Sequence, residues 1–170
     1  MADADLIYEL RLTIRRQAPE VFMNAMMLGY LVSDSETEHK LASSHSDNSV
    51  YTLNDWKVVD SFLHVDEASA GMTHIAYGGI PIWAMQYRGK YAHKAIPFLK
   101  SALLANYREG RWYGGRGPQL FQSEGWIYIN SPDSESFENF KGEERIFDPE
   151  GNLAGWHSYN GIWMLKKKKK

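Results

Sequence analysis

Three side chains in the C-terminal third could carry chemistry together: Arg116 in GGRGP, Glu144 in FKGEERIF and His157 in NLAGWHSY. A carboxylate and an imidazole on facing strands form a proton-transfer pair, so Glu144 and His157 are the candidates for general acid–base work. Arg116 offers a planar fork suited to a carboxylate or phosphate, which makes it the candidate clamp for an anion. Buried charges need partners, and an Arg116–Glu144 ion pair is expected. Trp126, Trp156 and Tyr159 can stack on a bound molecule. Gly155 stands two residues before His157 on the same strand face, and its missing side chain leaves room for a cleft.

Other chemistry finds less support. There is no cysteine, which excludes disulfides, thiolate metal sites and a cysteine nucleophile. The six histidines, at 39, 45, 64, 74, 93 and 157, show no HxH or HExxH spacing, so no metal is expected. GGRGP has the glycines of a phosphate loop, but Pro118 and the following strand displace the helix N-terminus such loops require. No nucleophile motif and no cofactor-binding motif is present, and no cofactor is expected.

The elements that must position these residues follow from periodicity. Leu6, Ile7, Leu10 and Ile14 form one helical stripe capped by Asp3 or Asp5, and Pro19 is expected to end that helix and open a second, apolar one. Residues 33–49 are polar, lack periodicity and read as a loop. WKVVDSFLHV reads as a strand, and THIAYGGIPIWAMQYRGKY as a hairpin turning at Gly78–Gly79. Ile96, Leu99, Leu103 and Leu104 define the next helix. Strands follow at QLF, GWIYIN, ERIF and NLAGWHSY, the last two joined by DPEGN, whose proline and glycine suit a tight antiparallel connection.

Landmarks recur along the chain about seventy residues apart. FMNAMMLGY at 22–30 matches LKSALLANY at 99–107, and the WKVVDS segment at 56–61 matches WIYINS at 126–131. Gly71, Ile75, Tyr87 and Gly89 then match Gly142, Ile146, Tyr159 and Gly161. Thr73 matches Glu144, and Ser46 matches Arg116. The expected fold is α+β: two tandem halves, each a helix plus an antiparallel sheet, related by a pseudo-twofold and sharing one core. The expected organisation is an N-terminal helix at 1–18, one domain at 19–165 with repeats at about 20–91 and 96–162, and a lysine tail at 166–170.

Hydrophobic residues make up 44% of the chain and aromatics 14%, enough to build a packed core. Acidic residues outnumber the basic ones that remain once the five terminal lysines are set aside. Such a body disfavours duplex nucleic acid, whose binding needs a basic face. No apolar run approaches membrane-spanning length, and the acidic N-terminus lacks signal-peptide character. A soluble cytoplasmic protein without a membrane partner is expected.

The motif Phe140-x-Gly142-x-Glu144-x-Ile146, a glycine turn, then Tyr159-x-Gly161 resembles the closing signature of the domain family DUF5680. GRGP at 115–118 and PIWAMQYRG at 81–89 resemble further recurrent pieces, covering roughly residues 20–164. Thr73 stands where that family usually has an acidic residue, and Asn160 where histidine is common. The family occurs alone and behind helix-turn-helix segments of regulators, so the resemblance implies an effector-sensing or interaction module. Residues 1–18 are too short to supply a DNA-binding domain.

The expected function is a non-catalytic module that binds a small polar or anionic molecule. Arg116 would clamp the ligand, Glu144 would orient Arg116, and Trp126, Trp156, His157 and Tyr159 would line the cleft. One alternative is a cofactor-free isomerase, dehydratase or hydrolase using Glu144 and His157. Another is an interaction module with a protein partner or a second copy of the chain.

Overall fold

The first helix, α1 (Ala2–Leu31), runs unbroken through Pro19, where the sequence suggested two helices. A proline inside a helix costs about 3 kcal/mol. Ile14, Phe22 and Met26, on either side of it, are all buried in the same core. Burial of such side chains is worth about 2 kcal/mol each, so packing on both flanks outweighs the lost hydrogen bond. Leu10, expected on the buried stripe, is exposed.

The computed structural model describes residues 2–31 and 46–165. The side chains of Asp3, Asp5, Leu6, Ile7 and Ser46, most of the expected polar loop and the lysine tail lie outside the described residues. The end of that expected loop is already strand: β1 spans Ser46–Leu53. It is followed by β2 (Trp56–Val65), β3 (Ala68–Tyr77) and β4 (Ile80–Tyr91). A single 3-10 turn, His93–Ala95, leads into α2 (Ile96–Glu109). The chain finishes with β5 (Leu120–Ser123), β6 (Trp126–Pro132), β7 (Asn139–Phe147) and β8 (Leu153–Trp163).

All eight strands belong to one antiparallel sheet in the order β1-β2-β3-β4-β8-β7-β6-β5. The fold is therefore α+β. Two-residue turns join β3 to β4 and β5 to β6, with both central residues at positive φ: 56° and 78° at Gly78–Gly79, 51° and 82° at Glu124–Gly125. That geometry matches the right-handed twist of the flanking strands. In the DPEGN turn, Asp148 Oδ1 accepts the Asn152 amide at 2.8 Å and Asp148 Oδ2 accepts Lys94 Nζ at 2.9 Å. This ties the β7–β8 hairpin to the turn before α2.

Both helices lie against one face of the sheet. The core between them centres on Trp83, which is fully buried, stacks on Phe137 at 4.6 Å and donates its indole N–H to Phe137 O at 2.7 Å. Phe22, Trp112 and Phe140 surround it in edge-on and stacked contacts. Among the described residues the other sheet face carries no helix. An antiparallel sheet tolerates this when its strands alternate apolar and polar residues.

Close approach of neighbouring strands leaves no room for a side chain at Gly89. A Cβ there would lie 2.0 Å from Trp156 O and 2.2 Å from His157 Cδ2. Gly89→Ala is therefore expected to destabilise the protein by about 3 kcal/mol in denaturant melts, because the backbone oxygen cannot move aside. Gly78→Ala meets nothing within 4 Å and should cost only about 1 kcal/mol, the strain of its positive φ.

Candidate functional site

Strand alternation sends Gly155, His157, Tyr159 and Gly161 of β8 toward the helices, and Trp156, Ser158, Asn160 and Ile162 toward the open face. Register then builds a row across the sheet: Asn130, Glu144, His157, Gly89 and Ser69 are successive cross-strand partners. Arg116 reaches this row from the loop after α2. Asn106 of α2 holds that loop down, donating Nδ2 to Arg116 O at 2.9 Å.

Glu144 is completely buried. Its Oε1 accepts Arg116 Nε at 2.8 Å and Nη2 at 2.5 Å, and its Oε2 accepts the Tyr128 hydroxyl at 2.5 Å. The expected Arg116–Glu144 pair is present. Arg116 Nη2 also donates to Tyr91 Oη at 3.2 Å and meets His157 Nδ1 at 3.0 Å, while the Tyr87 ring lies 5.5 Å from the guanidinium carbon. Burial and the adjacent Glu144 charge push the Tyr128 hydroxyl well above its ordinary pKa, so it stays a donor.

The proton on His157 follows from its neighbours. A guanidinium only donates, so Nδ1 must accept, and the ring proton sits on Nε2. Nε2 lies 3.0 Å from Ser69 Oγ and therefore donates to it. Glu144 Oε1, 3.8 Å from Nδ1, is separated from the imidazole by Arg116. A serine, a histidine and a glutamate thus stand in sequence, yet the tautomer is wrong for drawing a proton from Ser69. Burial, reinforced by the Arg116 charge, lowers the His157 pKa to about 2, so the ring is neutral in ordinary buffers.

Two tyrosines make matching contacts on this face. Tyr87 Oη donates to Asp60 Oδ1 at 2.8 Å, and Tyr159 Oη donates to Asn130 Oδ1 at 2.5 Å. Each hydroxyl passes over a glycine of the intervening strand, lying 2.6 Å and 2.4 Å from where Gly71 and Gly142 would carry a Cβ. Asp60 also accepts Thr73 Oγ1 at 2.7 Å; burial raises its pKa, and the two hydroxyl donors partly offset that rise.

The cleft expected beside Gly155 is occupied. A Cβ on Gly155 would sit 2.2 Å from Tyr91 Cδ1, so the Tyr91 ring fills the space the glycine leaves. Arg116, Glu144, His157 and Tyr159 are brought together behind it. Trp156 lies on the opposite face, and Trp126 packs on Phe98 at 5.7 Å beneath the Lys94 ammonium. The cluster's further partners, Tyr91, Tyr128 and Ser69, were missed in the sequence. For Tyr91 there was a signal, since it shares the alternation of Tyr87 and Gly89.

The open face carries a trough of about 1200 Å³ spanning β3, β4, β8, β7 and the end of β6. Met72 and Ala70 line one end, Gln86, Arg88, Ser158 and Asn160 the floor, and Lys141 and Glu143 the other end.

The sheet and its two helices define an α+β domain with one helix-covered face and one open face that carries the trough. Residues 60–162 match the family described as a domain of unknown function, DUF5680, and the chain belongs to that family. No curated protein and no solved structure matches it. No helix among the described residues is long and apolar enough to cross a membrane.

Removing one member of the buried pair should be far worse than removing both. Arg116→Met is expected to cost about 3–5 kcal/mol, and Arg116→Met combined with Glu144→Leu substantially less, a coupling that a double-mutant cycle reads directly. For His157 the folded pKa lies below the unfolded value, so the unfolded chain binds the extra proton and stability falls with pH below about 6.5. The loss from this group between about pH 7.5 and about pH 5.5 should be about 1.4 kcal/mol. Chemical denaturation of His157→Gln should lack that component of the pH slope.

Proposed function

We propose that the chain is a non-catalytic binding module for a small polar or anionic molecule, with the ligand seated in the open-face trough. The observation that carries this reading is the contrast between the two faces. On the covered face, Arg116, Glu144 and His157 are committed to one another and Tyr91 closes the space beside them. On the open face, the trough presents polar and charged side chains from four strands, β4, β8, β7 and β6, beside the apolar Ala70 and Met72 of β3. Ligand sites are concave and combine apolar walls with a few convergent polar groups, and this trough meets that description.

The enzyme reading draws less support. His157 holds its proton on the nitrogen facing Ser69, and its low pKa opposes service as a base near neutrality. A cytoplasmic location remains part of the proposal.

We further propose that the two halves are tandem copies related by a pseudo-twofold. The strand order reads alike from either edge, with a helix preceding each run of four strands. Tyr87 and Tyr159 are direct cross-strand partners at the junction of β4 and β8. On this view the tyrosine contacts with Asp60 and Asn130 are one device used twice. The trough then straddles the axis, a common place for a site between like units.

Thermal-shift screening of polar metabolites, followed by calorimetry of any hit, tests the seat. Ser158→Trp should fill the trough floor, and Arg88→Glu should reverse its charge. Both variants are expected to keep the wild-type melting temperature within about 2 °C, since surface changes rarely exceed about 0.5 kcal/mol, and to lose the hit. Unchanged affinity in both would overturn the seat.

A further inference from the structure

We infer that the ligand of the trough is an amphiphilic anion, a carboxylate or phosphate head on an extended apolar body, lying across the strands. This rests on the reading of the trough as the ligand seat. Two adjacent cross-strand rows make up its surface. One runs Ala70, Arg88, Ser158, Glu143 and the other Met72, Gln86, Asn160, Lys141; beyond the trough's edge, on β2, they continue to Leu63 and Ser61. Within the trough polarity is therefore graded from the β3 end to the β7 end.

Charge within the trough is not balanced group by group. Glu143 is paired with Arg145. Asp133 Oδ1 accepts the Lys141 amide at 2.9 Å. Arg88 and Lys141 are exposed and make no ion pair among the described residues. They stand two strands apart and two residues out of register, a Cα separation of roughly 12 Å by sheet spacing. Two long side chains span that gap, and the hydroxyl and amide of Ser158 and Asn160 lie on the strand between them. A carboxylate or phosphate set there would receive charge-assisted hydrogen bonds from both sides.

The apolar end is equally specific. Leu63 is 63% exposed and Met72 39%, and Ala70 between them presents no obstruction. These side chains gain nothing for the fold by facing water, and a hydrocarbon chain leaving the head toward β2 would cover them. Methionine is a flexible, polarisable lining suited to such contact.

Amide chemical-shift titration of the full chain with octanoate, propionate and octylammonium, with calorimetry for affinity, tests this. Octanoate is expected to shift amides of β3, β4, β7 and β8 and to bind at least about tenfold more tightly than propionate, since each buried methylene is worth about fourfold. Arg88→Gln and Lys141→Gln should each weaken octanoate about tenfold, and Leu63→Ser with Met72→Ser should do likewise without affecting propionate. Hexyl phosphate in place of octanoate separates the two head groups. Equal binding of propionate and octanoate would overturn the apolar half of the inference, and preference for octylammonium the anionic half. If screening hits depend on Ser158 and Arg88 while no alkyl anion binds, the seat stands and this ligand class falls. If nothing perturbs the trough, or if its shifts follow protein concentration alone, both fall.

Discussion

A carboxylate sealed from water at Glu144 is the constraint from which much of the architecture follows. An ion of that size is tolerated in an apolar interior only when its oxygens are fully engaged. Three donors meet it: two from Arg116 and one from Tyr128. Arg116 belongs to no helix or strand, so satisfying Glu144 obliges the loop after α2 to lie flat on the sheet. That proximity explains the loop's composition. Cβ atoms on Gly115 and Gly117 would fall 2.6 Å from Tyr159 Oη and 2.1 Å from Tyr128 Oη. Gly110, left-handed at φ 69°, ends α2, and Asn106 in the helix's last turn grips the loop at Arg116 O.

The row of polar side chains through Glu144 is held open by small residues. Strands lie about 4.8 Å apart, and a ring on one strand can reach the second strand along only if the one between lacks a side chain. Gly71, Gly142 and Gly89 provide this for Tyr87, Tyr159 and His157 in turn. Each ring ends in a hydrogen bond to a residue beyond the glycine. The rings replace the packing the glycines forgo, which turns three weak points of the sheet into cross-links.

Much of this was legible in the residues, and the exceptions have physical causes. α2, the Gly78–Gly79 hairpin and the DPEGN turn follow local rules and were readable. The Arg116–Glu144 pair was readable too, because a buried charge forces a partner whatever the fold. Pro19 misled because the local penalty for an internal proline is smaller than the burial gained on either side of it. Gly155 misled for a different reason. An absent side chain signals space only when no neighbour claims it, and the claimant, Tyr91, is set by the β4–β8 register, which no local pattern reveals. Ser46 to Ser49 read as loop because the start of an edge strand is polar. The open-face trough was hidden by its ordinariness: Gln86, Arg88, Ser158 and Asn160 look like the solvent half of any alternating strand.

Stability and the proposed recognition consequently fall on different sides of one sheet. The covered face is over-determined, with a buried salt bridge, tyrosine struts and an aromatic cluster around Trp83, so almost any change there is paid in folding free energy. The open face is under no such demand. Residues such as Arg88, Lys141, Met72 and Leu63 contribute little to the core and could be replaced by other solvent-compatible side chains without consequence for the fold. Leu63 at 63% exposure and Ile162 at 56% bury little of their apolar surface in the fold. On the proposed reading, a face whose composition folding does not dictate, and which sets cations without an ion-pair partner among the described residues beside exposed hydrocarbon, takes its pattern from a ligand.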